Sequence, residues 1–324
     1  MRIEFRLPVF FFLAFAVTCN AHAQAWPARP LRMIVPFAPG GTTDITARLI
    51  APRMQQALGQ PVLVENRTGG GGTIATEFVA KSAPDGYTLL MAGGGPTFIA
   101  PLAPKARYDS LRDLAMISNV NTNPQVLLVH PSVPATNVRE LIAHAKANPG
   151  KLNFGTAGMI SLIHLSAEVF NHMAGVNTVV VHYKGGAPAT AAAVAGEVQA
   201  TFANPSDAIP QMKGGKLRGL AVTGSARLAQ TPDLPTITAS GLTGFVAETF
   251  NGVVAPAGTS PEIIARLSRI IQEIVRDPVV SQRMTELGTT PVGDTPEQFR
   301  AYLQAQISFW AKSLRESGIK LQEN

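Results

Sequence analysis

Apolar and polar positions alternate along this chain in a repeating order: a short apolar run, a glycine-rich turn, then a pattern of helical period. Leu31–Phe37 reads as a strand, and a helix follows from about Thr42 to Leu58, with Gly59 as its C-terminal stop. Pro52 inside that helix removes the bond to the Arg48 carbonyl and is expected to kink it. Val62–Glu65 is a short strand running into Thr68–Thr73 and a helix to about Lys81. Tyr87–Met91 is a third strand, ending in Gly93-Gly94-Gly95-Pro96-Thr97. A second series begins near Val126, with strands at Val126–Val129, Leu152–Phe154, Val179–Tyr183, Ala200–Phe202 and Leu217–Val222. Helices are expected at Val138–Ala147, at Leu162–Met173 and over an alanine-rich stretch ending at Gly196. Such alternation predicts an α/β architecture.

The last quarter reads as helix. Ser260-Pro261 opens one with a cap residue and a proline at the first helical position, and Ile263, Leu267, Ile270 and Ile274 form its apolar stripe. Thr295-Pro296-Glu297-Gln298 opens the last as a capping box, with Phe299, Leu303, Trp310 and Leu314 on the buried face.

In open sheets of this class, ligands bind where strands end and helices begin. Two such junctions stand out. Val35–Asp44 (VPFAPGGTTD) runs from strand to helix through a Pro/Gly turn, leaving backbone N–H groups at a helix N-terminus where an anion can sit. Gly155-Thr156-Ala157-Gly158, followed by Ser161, repeats the arrangement. For each loop taken singly, glycines that merely make a tight turn explain the residues equally well; together they read as two jaws closing on one anionic group, with hydroxyls at Thr42, Thr156 and Ser161 as further donors. The candidate ligand-binding residues are Phe37, Ala38, Pro39, Gly40, Gly41, Thr42, Asp44, Thr97, Gly155, Thr156, Ala157, Gly158, Ser161, His164 and Asn204. Asp44, just inside the first helix, is read as support for its loop through backbone N–H bonds. Side chains at Gly41 and Gly158 are expected to crowd the backbone donors.

Chemistry beyond binding finds little footing. Thr68–Thr73 lacks the Gly-Lys-Ser/Thr of a phosphate loop, and no Gly-x-Ser-x-Gly elbow occurs. His164, Glu168 and His172 share a helix face, but the two histidines are about 12 Å apart along it, too far for one ion. No catalytic residue, metal or cofactor is expected. The net charge is +6 with no Lys/Arg block longer than two, which argues against nucleic-acid binding.

The 324 residues suit two domains. Residues 1–23 are expected to be a cleaved secretory signal peptide: Arg2 and Arg6 precede the apolar run Val9–Val17, which is too short for the about 20 residues of a membrane span, and Ala21-His22-Ala23 precedes Gln24 as a cleavage site. Cleavage removes Cys19, the sole cysteine. Ala16-Val17-Thr18 before it fits a lipoprotein signal poorly.

In these phrases and their order the chain resembles the periplasmic substrate-binding receptors of tripartite tricarboxylate transporters, the Bug-type receptors. The phrases are VPFAPGGTTD (35–44), VENRTGGGG (64–72), APDGYTLL (83–90), KANPGKLNFG (146–155), His164-Leu165, Tyr183-Lys184-Gly185, GKLRGLAVT (215–223), PDLPT (232–236) and VAPAG (254–258). The resemblance implies a two-lobed type II periplasmic-binding-protein fold. Each lobe is expected to be a mostly parallel sheet flanked by helices, with residues 24–125 plus 230–324 forming one lobe and 126–229 the other. It implies a receptor that holds a small carboxylate in the cleft with backbone amides, hydroxyls and bridging waters; a periplasmic monomer without enzymatic activity is expected. The implied partners are integral-membrane permease subunits or, alternatively, a sensor kinase. The chain departs from the pattern at Phe154, Met159-Ile160, Ala203-Asn204 and Phe250. These departures predict a less polar cleft and a ligand with a larger apolar body, such as an aromatic or branched monocarboxylate.

Overall fold

The structure is a computed structural model, and it describes residues 26–103, 106–317 and 321. The expected leader, Cys19 and the cleavage site lie outside the described residues. Two sheets organise the rest. The larger has six strands in the order β11-β4-β10-β3-β1-β2, from β1 (Leu31–Val35), β2 (Val62–Asn66), β3 (Thr88–Gly93), β4 (Leu114–Pro124), β10 (Glu248–Pro256) and β11 (Thr290–Pro291). The smaller has the order β7-β6-β8-β5-β9, from β5 (Val126–Val129), β6 (Asn153–Thr156), β7 (Val179–His182), β8 (Ala200–Ala203) and β9 (Arg218–Val222).

Both sheets are mixed rather than mostly parallel. In the larger, β1 pairs in parallel with β2 and β3, but β10 runs antiparallel to β3 and β4. In the smaller, β6 is parallel to β7 and β8, whereas β5 is antiparallel to β8 and β9. The reversed strands lie next to the passage from one sheet to the other. β4 leads through Gln125 into β5, and β10 brings the chain back, so the long strands that carry these passages cannot all follow the βαβ direction.

The helices are α1 (Thr42–Leu58), α2 (Thr73–Ala80), α3 (Ser110–Asp113), α4 (Val138–Ala147), α5 (Leu162–Ala174), α6 (Gly186–Ala195), α7 (Pro205–Lys213), α8 (Pro261–Arg276), α9 (Pro278–Glu286) and α10 (Pro296–Ser317). α1 runs on through Pro52 and stops at Gly59, whose N–H reaches Gln55 O. The Ser260 hydroxyl caps α8, and Thr295 and Gln298 exchange hydrogen bonds as a capping box at the start of α10. One face of the large sheet buries Leu31, Met33 and Val35 against Ile50 and Met54 of α1 and Leu267, Ile271 and Ile274 of α8. Each such side chain stabilises the fold by about 1.5–3 kcal/mol. The other face packs Phe98 and Phe250 against Phe299 and Trp310 of α10.

The small sheet has its own aromatic stack, Phe154 on Phe202 on Phe245. Phe245 belongs to a segment that stays with this sheet: Val222 and Ile237 exchange backbone bonds with their surroundings there, and Ala247 N–H reaches Thr223 O.

Candidate functional site

The first junction is built as a braced loop. Gly41 caps α1 without a side-chain bond, so the first-turn N–H groups of the helix have no carbonyl behind them. Asp44, third residue of the helix, accepts from Gly40 N–H, from Arg48 Nε and from Asn66 Nδ2, all within 3.0 Å. Asn66 also donates to Phe37 O at 3.0 Å and accepts from Arg48 Nη2 at 2.9 Å. Burial by itself raises the pKa of the Asp44 carboxyl, but the hydrogen bonds from Arg48, Gly40 and Asn66 and the Arg48 charge outweigh it and hold the pKa below its ordinary value. The acid locks the loop, as its sequence position implied.

The second junction is held from outside. After β6 the chain passes through Gly158 at φ +107° and Ile160 at φ +68°, the one non-glycine residue with positive φ among those described. A β-branched residue there costs on the order of 1–3 kcal/mol and persists only when its surroundings dictate it. They do. Ile160 N–H donates to His164 Nδ1 at 3.2 Å, and Ser161 Oγ accepts from His164 N–H at 3.1 Å as the cap of α5. Opposite, the large sheet presents glycines: a Cβ on Gly71 would lie 1.8 Å from Met159 O, and one on Gly95 would lie 2.7 Å from Ile160 O. The two loops meet backbone to backbone. Behind them Thr156 Oγ1 pairs with His182 Nδ1 at 2.8 Å, and the rings of His182 and His164 meet edge to face at 5.0 Å. Burial, and then the neighbouring His164, keep His182 below its ordinary value.

Between these loops lies a cavity of about 40 Å³ walled by Phe37, Gly41, Thr42, Thr43, Gly93, Gly94, Gly95, Gln125, Ala157, Ser161, Leu162, Ile163, Gly186, Asn204, Thr249 and Asn251. At about 10–15 Å³ for each water, a cavity of this size holds only a few waters. None of these walls is a charged side chain. Four helices, α1, α5, α6 and α7, bring their N-terminal ends to it through Gly41–Thr43, Ser161–Ile163, Gly186 and Asn204. Their dipoles and unpaired N–H groups make the cavity a place for negative charge. Bonds across the gap hold it shut: Thr42 Oγ1 meets Ser206 Oγ, Asn123 Nδ2 donates to Asn204 Oδ1 at 3.1 Å, and Ala38 N–H donates to Lys184 O at 3.1 Å.

Of the residues expected from sequence, Phe37, Gly41, Thr42, Ala157, Ser161 and Asn204 come together on the wall. The others stand behind it. The N–H groups of Ala38 and Gly40 are taken by Lys184 and Asp44, and Pro39 is exposed. Buried Thr97 donates to Gly93 O at 2.7 Å. Gly155 and Thr156 lie in β6, Gly158 abuts Gly71, and His164 braces Ile160 and stands 3.5 Å from Glu168. A Cβ on Gly41 would meet no protein atom closer than 3.9 Å, on a residue that walls the cavity, whereas one on Gly158 would lie 3.1 Å from Gly71. Phe154, Ala203 and Phe250 are fully buried in the cores, not in the cleft, because their strands turn those positions away from it. Met159 and Ile160 instead line a neighbouring cavity of about 600 Å³ with Ile74 and Tyr108.

The candidate residues left out Thr43 and the wall glycines Gly93–Gly95, although their turns were singled out, and sequence reasoning missed Leu162, Ile163, Gly186 and the polar residues of the long strands. Asn119, Asn121, Asn123 and Gln125 alternate along one strand face, a period-2 signal in polar residues. Asn251 Nδ2 donates to Asn121 Oδ1 at 2.7 Å, Asn121 to Thr46 Oγ1 at 3.1 Å, Gly94 N–H to Thr249 Oγ1 at 3.2 Å, and Ser166 Oγ to Gln125 Oε1 at 2.6 Å.

A two-sheet α/β fold with an anion-ready cavity between the sheets defines a binding protein of the periplasmic type, and solved structures of that kind superpose on it. MatC of Rhodopseudomonas palustris, solved with bound malate, is 32% identical with a TM-score of 0.85, covering 89% of this chain and 99% of its own. R. palustris Rpa4515 with adipate is 34% identical with a TM-score of 0.86, covering 91% and 99%. Protein BugT of Bordetella pertussis is 39% identical over 307 residues, 94% of each chain. Residues 46–319 match the tripartite tricarboxylate transporter family receptor, and the chain belongs to that family.

Proposed function

We propose that this chain is a periplasmic receptor that captures a small carboxylate between its two sheets and delivers it, chemically unchanged, to integral-membrane permease subunits of a tripartite transporter. The observation that carries the reading is the convergence of four helix N-termini on a cavity with no charged side chain in its wall. Such a wall offers N–H donors and dipoles to an anion, and the hydroxyls of Thr42 and Ser161 stand beside them. Malate and adipate in two relatives of the same fold support a carboxylate as the guest.

Binding on both jaws stabilises the closed state, because only there do α1 and α5 reach one group together. In this proposal one lobe carries the large sheet and the other the small sheet. The chain crosses first at Gln125 and returns near Ala247–Glu248 rather than at 229–230, since Ile237, Phe245 and Ala247 pack with the small sheet. The apolar body of a bulky acid would rest on Phe37, Leu162 and Ile163 of the wall; Phe154 and Phe250 are buried in the cores, and Met159 and Ile160 line the neighbouring cavity.

Native mass spectrometry of freshly purified protein, followed by calorimetry with malate, adipate, succinate and 3-phenylpropionate, tests the reading. One or more acids should bind, raise the melting temperature and be recovered intact. Absence of binding by every acid, or conversion of a bound one, would overturn it.

A further inference from the structure

Asp207 is the third residue of α7, 8% exposed, and its Oδ2 has no hydrogen-bond partner. It belongs to none of the ion pairs among the described residues. The elements packed on α7 supply no cation for it. α6 and β5 carry no charged residue; on α1, Arg48 and Asp44 are tied to each other and Arg53 pairs with Asp277; on β9, Arg218 donates to the carbonyls of Val133 and Ala135. A bare carboxylate at such a place is costly, and no packing need explains it.

Its position gives it a use. Asp207 Oδ2 lies 3.1 Å from the point a Cβ on Gly186 would occupy, and Ile163 Cδ1 and Asn204 Nδ2 lie 3.3 and 3.9 Å from the same point. Gly186, Ile163 and Asn204 all wall the cavity, so the missing side chain at Gly186 opens this corner to it. A second orphan borders Asn204: Asn123, which donates to Asn204 Oδ1, has a buried Oδ1 with no partner. Both orphans are acceptors. What the corner lacks among the described residues is a cation, and beside a carboxylate a positively charged donor fits best.

We propose that Asp207 makes this receptor selective for carboxylates that also carry an ammonium group, the carboxylate resting on the N-termini of α1 and α5 and the ammonium in the Gly186–Asn204–Asp207 corner. This rests on the carboxylate-receptor reading above. The cavity then complements a zwitterion, with helix ends for the negative group and one acid for the positive group. Burial pushes the unpaired Asp207 carboxyl up to about 7, and an ammonium beside it would draw it back towards the ionised form.

Matched pairs that differ only by the ammonium test this: succinate and aspartate, 4-methylpentanoate and leucine, 3-phenylpropionate and phenylalanine, each titrated into the purified protein by calorimetry at pH 7.5. In at least one pair the amino acid should bind about tenfold or more tighter than its twin. Asp207→Asn should bring that ratio to about one while changing the plain acid less than about threefold. Gly186→Ala, which leaves Asp207 in place but fills the corner, should also bring the ratio to about one; circular dichroism checks that both variants fold. Equal or tighter binding of the plain acids overturns the proposal, as does an ammonium preference that survives both substitutions. Plain acids that bind tighter at pH 6 than at pH 8 in the parent but not in Asp207→Asn would also overturn it, since Asp207 would then be a proton donor to a carboxylate. If no member of any pair binds, the carboxylate reading itself fails and this inference with it.

Discussion

Helices α1 and α7 approach each other across the cavity, touching through Thr42 and Ser206, and each carries an aspartate as its third residue. Asp44 on α1 is saturated with donors and held below its ordinary value; Asp207 on α7 has an unpartnered oxygen and is pushed up to about 7. The same residue type at the same helical position thus serves opposite ends. The first stiffens a loop whose N–H groups then face the cavity. The second remains unspent, as groups at binding sites do when the ligand is to supply the partner. The loops differ in the same sense: Phe37–Thr43 is braced within its own sheet, whereas Gly158–Ser161 takes its shape from contact with Gly71 and Gly95 of the other.

The largest effect expected is on the braced acid. Asp44→Ala should lower stability at pH 7 by about 3 kcal/mol, because Gly40 N–H and Asn66 Nδ2 lose their acceptor and Arg48 its partner. Denaturant melts should show that gap narrowing as the pH falls below 3.8. The folded-state value is the lower one, so the contribution is complete above the unfolded value and is lost on acidification through the folded one. Next comes the contact between loops. Gly71→Ala puts a carbon 1.8 Å from Met159 O at a residue with φ +63°. It should weaken ligand affinity about a hundredfold, read by calorimetry with whichever acid binds the parent.

For the unpaired acid the sign reverses. A carboxyl raised in the folded state loses stability as pH rises from 3.8 to about 7 and no further. Asp207→Asn should therefore be more stable than the parent at pH 8, by about 1–3 kcal/mol, and similar to it at pH 4. A parent no less stable at pH 8 than the variant would remove the contrast between the two acids. The smallest effect belongs to the contact between α1 and α7. Ser206→Ala should cost about 1 kcal/mol of closure, seen as a roughly fivefold loss of affinity with an unchanged melt of the ligand-free protein.

Much of the fold could be read in advance where local rules act alone. The β1–α1 unit ends at Gly59 as its positive φ requires, α8 and α10 begin at their expected caps, and the apolar stripe of α10 is buried at Phe299, Leu303, Trp310 and Leu314. The long strands β4 and β10 were not legible. Their buried faces carry Asn119, Asn121, Asn123 and Asn251, and strand signals are sought in apolar residues. Six of the candidate site residues reached the cavity wall because strand-to-helix turns deliver their residues together. Phe154 and Phe250 did not, since a period of two sends alternate residues to opposite faces and only the pairing reveals which face is the core.

Local sequence set most of the short strands and the helix starts that follow them, and hence that helix N-terminal backbone stands at Gly41 and near Ser161. These are consequences of neighbouring residues and short-range geometry. Packing settled which of those ends converge, that Asp44 finds Arg48, Gly40 and Asn66 while Asp207 finds no cation, and that Ile160, in a left-handed conformation, meets the glycine turns that follow β2 and β3. The physical reason is range. A cap or a turn is settled within about four residues, whereas the charge state of a buried acid depends on every group that packing brings against it.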